Sequence, residues 1–277
     1  MSHPQVPAPP TPQRLPGIRH ILAIGSGKGG VGKTTVAVNL AVSLSRLGHR
    51  VGLIDADIHG PNVPTMLGAT RSPNIIGENQ MEPILAHGVK FISIGLISPG
   101  DTPIIMRGPR LHQILRQFLQ QVAWGDLDFL LIDLPPGTGD VVISLVQTVP
   151  LSGAIVVSTG SAVALEDARK AIEMFRQTNV EIIGLVENMS QMKLPDGSVI
   201  DVFGAGATKQ TAEQLKLPFL GSVDLDPQIR TDGDRGLPAA AGGAATTCAQ
   251  EFLAIAEKIV ARTQQLTSKS DMVMEIS

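Results

Sequence analysis

Short apolar runs recur along this chain, and an amphipathic stretch separates most of them. The runs His20–Ile24, Arg50–Ile54, Val89–Ile97, Phe129–Ile132, Ala154–Ser158 and Val180–Glu187 read as strands. Most lack the polar–apolar alternation of a strand wetted on one face, so they read as strands covered on both faces of a parallel sheet. Thr34–Leu47, Leu111–Val122, Val141–Thr148 and Leu165–Gln177 read as helices. A last helix over Thr247–Thr263 packs through Phe252, Ile255, Ala256 and Ile259. This alternation predicts an α/β fold: a doubly wound, mostly parallel sheet flanked by helices, with ligands at the carboxyl ends of the strands. Residues 1–17 form a Pro-rich lead-in expected to be flexible. Residues 18–266 are expected to form one domain and 267–277 a flexible tail.

Composition narrows the function classes. The 277 residues are 43% hydrophobic, enough for a large core. A net charge of −3 gives no electrostatic case for nucleic acid, and 3% aromatics with no tyrosine gives no stacking platform for bases. No apolar run is long enough for a bilayer span, and the N-terminus has no apolar signal core. One cysteine excludes an intramolecular disulfide framework and a Cys-only metal cage within one subunit. The expected protein is cytoplasmic, with neither a nucleic-acid nor a membrane partner.

The chemistry is concentrated after the first strand, where Gly27-Lys28-Gly29-Gly30-Val31-Gly32-Lys33-Thr34-Thr35 contains Gly-x-x-x-x-Gly-Lys-Thr. Glycines let the backbone curl its N–H groups toward a polyphosphate, and the helix opening at Lys33 adds its positive end. Lys33 places a charge at the β/γ-phosphates, and Thr34 offers a hydroxyl to Mg²⁺. Gly25-Ser26-Gly27-Lys28-Gly29-Gly30 also satisfies the dinucleotide fingerprint, with Asp55 near the ribose-binding distance. A dinucleotide turn has no use for Gly32-Lys33-Thr34, so the triphosphate reading is preferred. Lys28 is a second loop lysine that an ordinary phosphate loop does not need.

Asp55 and Asp57 follow the second strand, and Asp133 ends a later one. Asp133 fits the Walker B carboxylate that holds Mg²⁺ through water. Asp57 precedes Ile58-His59-Gly60-Pro61-Asn62, and Asp133 precedes Leu134-Pro135-Pro136-Gly137-Thr138-Gly139-Asp140, two segments suited to switches. Asp57 is the candidate for orienting the attacking water, with Lys28 and Lys33 offsetting phosphate charge. His59 reads either as a phosphate contact or as a turn histidine. Arg107 reads either as an interface or switch residue or as a plain helix start.

Gly27 to Thr35 resembles the deviant Walker A motif of the MinD/ParA group, whose early lysine reaches the partner subunit's nucleotide. Asp57-Ile58-His59-Gly60-Pro61, Arg107-Gly108-Pro109, the 134–140 segment and Glu187-Asn188-Met189-Ser190 narrow the resemblance to the Mrp-type iron–sulfur cluster carrier ATPases. The resemblance implies that Lys28 acts across a homodimer holding two facing ATP molecules. It also implies that Asp57 is the switch I residue, that Asp133 is linked to Mg²⁺, and that Asn188 recognises adenine. The loop Val223-Asp224-Leu225-Asp226-Pro227 would flank the same base. Cluster-bridging members carry Cys-Pro-x-Cys soon after Asn-Met-Ser, whereas this chain has Gln191-Met192-Lys193-Leu194-Pro195-Asp196-Gly197. A cluster normally takes four thiolates, and a homodimer would offer two, both Cys248. The expected function is an ATP-hydrolysing homodimer that assists iron–sulfur cluster assembly or transfer, with apoproteins or assembly factors as partners. A ParA/MinD-like regulatory switch with no cluster is the alternative.

Overall fold

Along the first strand, Ile21 and Ala23 enter one apolar cluster while Leu22 and Ile24 enter another, and all four are buried. A strand with both side-chain rows buried must sit between two layers. In the computed structural model it does. The structure describes residues 15–58, 60–69, 71–77, 80–97, 108–139, 142–143, 146–147, 149–242 and 245–276. The strands are β1 (Ile18–Gly25), β2 (Val51–Asp55), β3 (Ile75–Ile76), β4 (Gln80–Met81), β5 (Ile84–Ala86), β6 (Val89–Ser93), β7 (Leu127–Asp133), β8 (Gly153–Ser158), β9 (Ile182–Glu187), β10 (Met192–Lys193), β11 (Val199–Ile200) and β12 (Phe219–Ser222). The helices are α1 (Lys33–Arg46), α2 (Val63–Met66), α3 (Ile94–Ile97), α4 (Gly108–Gln121), α5 (Ala162–Gln177), α6 (Ala207–Gln214), α7 (Pro227–Asp234) and α8 (Thr247–Ile276).

The main sheet has eight strands in the order β12-β9-β8-β1-β7-β2-β6-β5. Neighbours are parallel except β5, which pairs antiparallel with β6 at the edge. Helices α1 and α8 cover one face through residues such as Leu40, Phe252 and Ile259. Leu115 and Phe118 of α4 and Ile172 and Phe175 of α5 cover the other. From β1 the chain crosses to β2 beyond β7, and after β7 it passes to β8 on the opposite side of β1. The carboxyl end of β1 is therefore the switch point where this architecture binds ligands.

Three expectations need correction. The run Val89–Ile97 stops being a strand at Ser93, and Ile94–Ile97 is helical. There the Gly95 N–H donates to Ser93 Oγ at 3.1 Å and closes a turn. Helix α5 begins three residues before Leu165, because Ser161 caps it by accepting the Ala164 N–H at 3.3 Å. Helix α8 passes the expected end at Thr263 and carries helical backbone through the stretch read as a flexible tail. No Gly or Pro stops it there, and the hydroxyls of Thr263, Thr267 and Ser268 donate to carbonyls one turn back. Strands β5 and β12 were too short to stand out as apolar runs. Residues 142–143 and 146–147 of the expected helix Val141–Thr148 are helical and its other residues lie outside the described ones, as does most of the lead-in. Among the described residues, no helix is long and apolar enough to cross a membrane.

Candidate functional site

The loop between β1 and α1 is fixed by contacts that exclude side chains. A Cβ on Gly27 would lie 2.1 Å from the Asp167 carbonyl, so the loop seats directly on the backbone of α5. Gly32, the N-cap of α1, has φ +76°, and a Cβ there would lie 2.2 Å from Asn188 Nδ2. Helix α1 has no side-chain cap and no acidic residue in its first turn. Its first N–H groups and its positive end are left for an anion.

Three strands bring the charged groups together. Register pairs Asp55 of β2 with Asp133 of β7, and Ile24 of β1 with Asp133 on the other side. Lys33 is buried, with Nζ 2.7 Å from Asp133 Oδ1 and 3.5 Å from Asp57 Oδ2. Thr34 Oγ1 donates to Asp133 Oδ2 at 2.7 Å. Burial pushes the Asp133 carboxyl above its ordinary range, against the pull of Lys33 and Thr34. Asp55 is fully buried, and its carboxyl is pushed up to about 7, first by burial and then by the neighbouring Asp133 charge. The oxygens of Thr34 and Asp133 are hard donors suited to Mg²⁺.

These groups open onto a cleft of about 790 Å³. Lys28, Gly29, Gly30, Gly32, Lys33, Thr34, Thr35, Asp57 and Asn188 all line it, together with Asp224, Leu225, Asp226 and Pro227. Gly27, Val31 and Asp133 do not line it; Val31 and Asp133 are buried and Gly27 is half-buried. Asn188 Nδ2 donates to Val31 O at 2.9 Å, which ties the amide to the phosphate loop. The amide retains a second N–H and its carbonyl oxygen for a base edge. His59, Arg107 and Asp140 lie outside the described residues.

Sequence reasoning missed a whole wall of the cleft. Thr65 and Met66 line it from α2, and Ile229, Arg230, Gly233 and Asp234 from α7. Helix α7 did leave a signal: Asp226 accepts the Gln228 N–H at 2.8 Å and Pro227 opens the helix, an N-cap followed by Pro. Glu187 was also missed as a structural hub. Its buried carboxylate accepts from Ser190 Oγ, Gly206 N and Thr208 N, each at 2.8 Å. It thereby closes both ends of the segment that carries the β10–β11 hairpin.

No thiolate group accompanies the hairpin. Leu194 accepts the Gly197 N–H at 2.9 Å, and Asp196 accepts from Ser198 Oγ at 2.6 Å, so the hairpin is an ordinary tight turn. Cys248 lines a separate cavity of about 390 Å³ with His87, Asp226 and Asp232. Burial, then the charges of Glu251, Asp226 and Asp224, push its thiol up to about 12, so it is a neutral thiol at ordinary pH. Among the described residues, no group of three or more His, Cys, Asp and Glu could hold a metal ion. The donors present do not fit an iron–sulfur cluster.

Comparison with known proteins gives the family and the fold. Residues 17–260 match the ParA family model described as NUBPL iron-transfer P-loop NTPase. An iron–sulfur cluster carrier protein of Deinococcus radiodurans is 49% identical over 251 residues, covering 90% of this chain and 71% of the relative. Its namesake in Methanocaldococcus jannaschii is 44% identical over 251 residues, covering 89% and 86%. A nucleotide-binding protein from Archaeoglobus fulgidus, solved with ADP, superposes with a TM-score of 0.70 at 36% identity, covering 80% of this chain and 88% of that one. The cell division ATPase MinD of Pyrococcus furiosus shares the fold at a TM-score of 0.68 and 23% identity, covering 87% and 98%. A triphosphate loop closed on strand-end carboxylates, matched over nearly the whole folded chain, makes this protein a member of the ParA-type, NUBPL-like iron-transfer P-loop NTPases.

Proposed function

We propose that this protein binds ATP with Mg²⁺ in the cleft, hydrolyses it to ADP and phosphate, and uses the cycle to assist iron–sulfur cluster assembly or transfer. The convergence of Lys33, Thr34, Asp57 and Asp133 carries this reading. Lys33 leaves Asp133 for the β/γ-phosphates when nucleotide enters, and the loop N–H groups hold the phosphate oxygens. Thr34 and, through water, Asp133 would hold Mg²⁺, which neutralises charge on those phosphates. Asp57 orients the water that attacks the γ-phosphorus, and ADP leaves. Asn188 and the 223–227 loop flank the adenine. Two subunits face each other across their nucleotides, with Lys28 of each reaching the other's ATP. We place the protein in the cytoplasm, with apoproteins or assembly factors as partners.

The cluster is cargo in this reading, and the chain's own donors bear on how it is handled. The thiol-free hairpin and the neutral Cys248 favour a helper that drives transfer without ligating the cluster through its own cysteines. They also favour the second reading, a ParA/MinD-like switch with no cluster. Calorimetry with ATP and Mg²⁺, followed by phosphate release, tests the ATPase; absence of heat at millimolar ATP discards it. Faster activation of an apoprotein by a preformed cluster when this protein and ATP are added supports the iron–sulfur role. No acceleration assigns the protein to the switch reading.

A further inference from the structure

Asp55 does not line the nucleotide cleft, yet its carboxylate is used on both oxygens. It ends β2 beside Asp133 and is fully buried. Oδ1 accepts the Asp57 N–H at 3.2 Å, and Oδ2 accepts the Val63 N–H at 3.3 Å, where α2 begins. Oδ2 also accepts from Ser93 Oγ at 2.8 Å, and that hydroxyl in turn accepts the Gly95 N–H at 3.1 Å. Gly95 packs on the switch segment itself, since a Cβ there would lie 2.8 Å from Pro61 Cγ. Between Asp55 and Asp57, the Ala56 N–H donates to Asp133 O at 3.0 Å. One buried carboxyl group thus joins the two ends of the 57–63 segment to the β6–α3 corner.

We propose that Asp55 is the positioning residue for hydrolysis: it clamps the 57–63 segment from behind and holds Asp57 where the attacking water must be oriented. This rests on the reading of Asp57 given above. A buried carboxylate that answers N–H and O–H donors of three segments fixes them more rigidly than water could, and a misplaced catalytic group slows chemistry more than binding. The nucleotide contacts of Lys33 and Asn188 do not pass through Asp55, so affinity is spared.

The test is steady-state ATP turnover with Mg²⁺ in the full chain. Asp55→Asn keeps the shape but turns one acceptor into a donor facing another donor. The expected result is a fall in kcat of about tenfold with KM for ATP changed less than about twofold. In an Asp57→Asn background the same change adds less than about twofold, because the positioned group is already disabled. Ser93→Ala, which removes one hydroxyl, lowers kcat about threefold at unchanged KM. If the wild type hydrolyses no ATP, the proposed function itself fails. If it does, a wild-type kcat in folded Asp55→Asn, or losses that multiply fully in the double variant, overturns the positioning role alone. Should Asp55→Asn not fold, Ser93→Ala decides by the same split: a lower kcat at fixed KM sustains the proposal, and an unchanged kcat rejects it.

Discussion

The phosphate centre and the β10–β11 hairpin are neighbours with opposite chemistry. At the centre, Asp55 and Asp133 are buried at the ends of adjoining strands and Lys33 is buried at the start of α1, each paired with another of them or with nearby donors. In the hairpin, Val199 is 53% exposed and Ile200 45%, and the turn is closed by its own Asp196 and Ser198. The two are wired together: Ser190 N–H donates to Val223 O at 2.9 Å, Leu225 N–H to Gln191 O at 2.8 Å, and Lys193 pairs with Asp224 at 2.7 Å. The centre depends on burial, because charges hold fixed geometry only where water cannot compete. The hairpin is free to change its residues while its base stays attached to the cleft wall. This chain has the first, and its hairpin carries no cysteine.

Removing the charge at the centre gives the largest effect. Lys33→Met keeps the aliphatic stem and leaves the ammonium out. ATP affinity should fall at least ~100-fold, or about 2.7 kcal/mol, since charge-assisted phosphate contacts are lost. Asp133 then lacks its cation and takes up a proton more readily. Calorimetry showing wild-type affinity in this variant would remove the basis for the comparison.

Restoring thiolates to the hairpin sharpens the other side. Leu194→Cys with Gly197→Cys places two thiols at the positions of the family's Cys-Pro-x-Cys. After anaerobic reconstitution with iron and sulfide, the double variant should gain a brown chromophore and about four iron atoms per dimer, the composition of a cubane cluster held by four cysteines. The wild type should not. Gly197 has φ +83°, so its replacement costs about 1 kcal/mol, and Leu194→Cys alone serves as the unstrained control. A wild type that forms the chromophore as readily shows that other residues ligate the cluster. A smaller effect is expected from Lys28→Ala: ATP still binds, but turnover drops about tenfold because charge from the facing subunit is missing. Unaltered turnover would mean that Lys28 does not act across a dimer.

How much of this was readable depended on distance along the chain. The phosphate loop is local, so Gly27 to Thr35 could be read as a triphosphate loop from residue types and spacing alone. Asp57 and Asp133 were legible as carboxylates following apolar runs. Their union with Lys33 was not, because the 2.7 Å pair joins residues 100 positions apart and exists only through the β1-β7-β2 order. Asp55 was visible only as an acid near a ribose-binding distance. Its clamp needs Ser93 from β6 and Val63 from α2, which no local pattern connects. Helix α7 is eight residues long with a weak apolar face, so the wall it builds vanished beneath the stronger periodicities.

The smallest expected effect lies in the pH dependence of stability without nucleotide or divalent ion. Asp55 titrates near 7 in the folded chain and near its ordinary 3.8 when unfolded. Between those values the folded state holds a proton that the unfolded state has released, so stability from this group falls as pH rises and levels off above about 7. Asp133 is shifted in the same direction and adds to the slope. Asp55→Asn carries no such charge at any pH. Relative to wild type, the variant should therefore melt a few degrees higher at pH 8 than at pH 5, about 2–4 °C for each kcal/mol in a chain of this size. Gained stability with lost turnover in one variant would mark the buried carboxyl as kept for its geometry. Parallel melting curves across that window would show that the strand-end carboxylates at the centre are hydrated, and the contrast with the open hairpin would lose its physical ground.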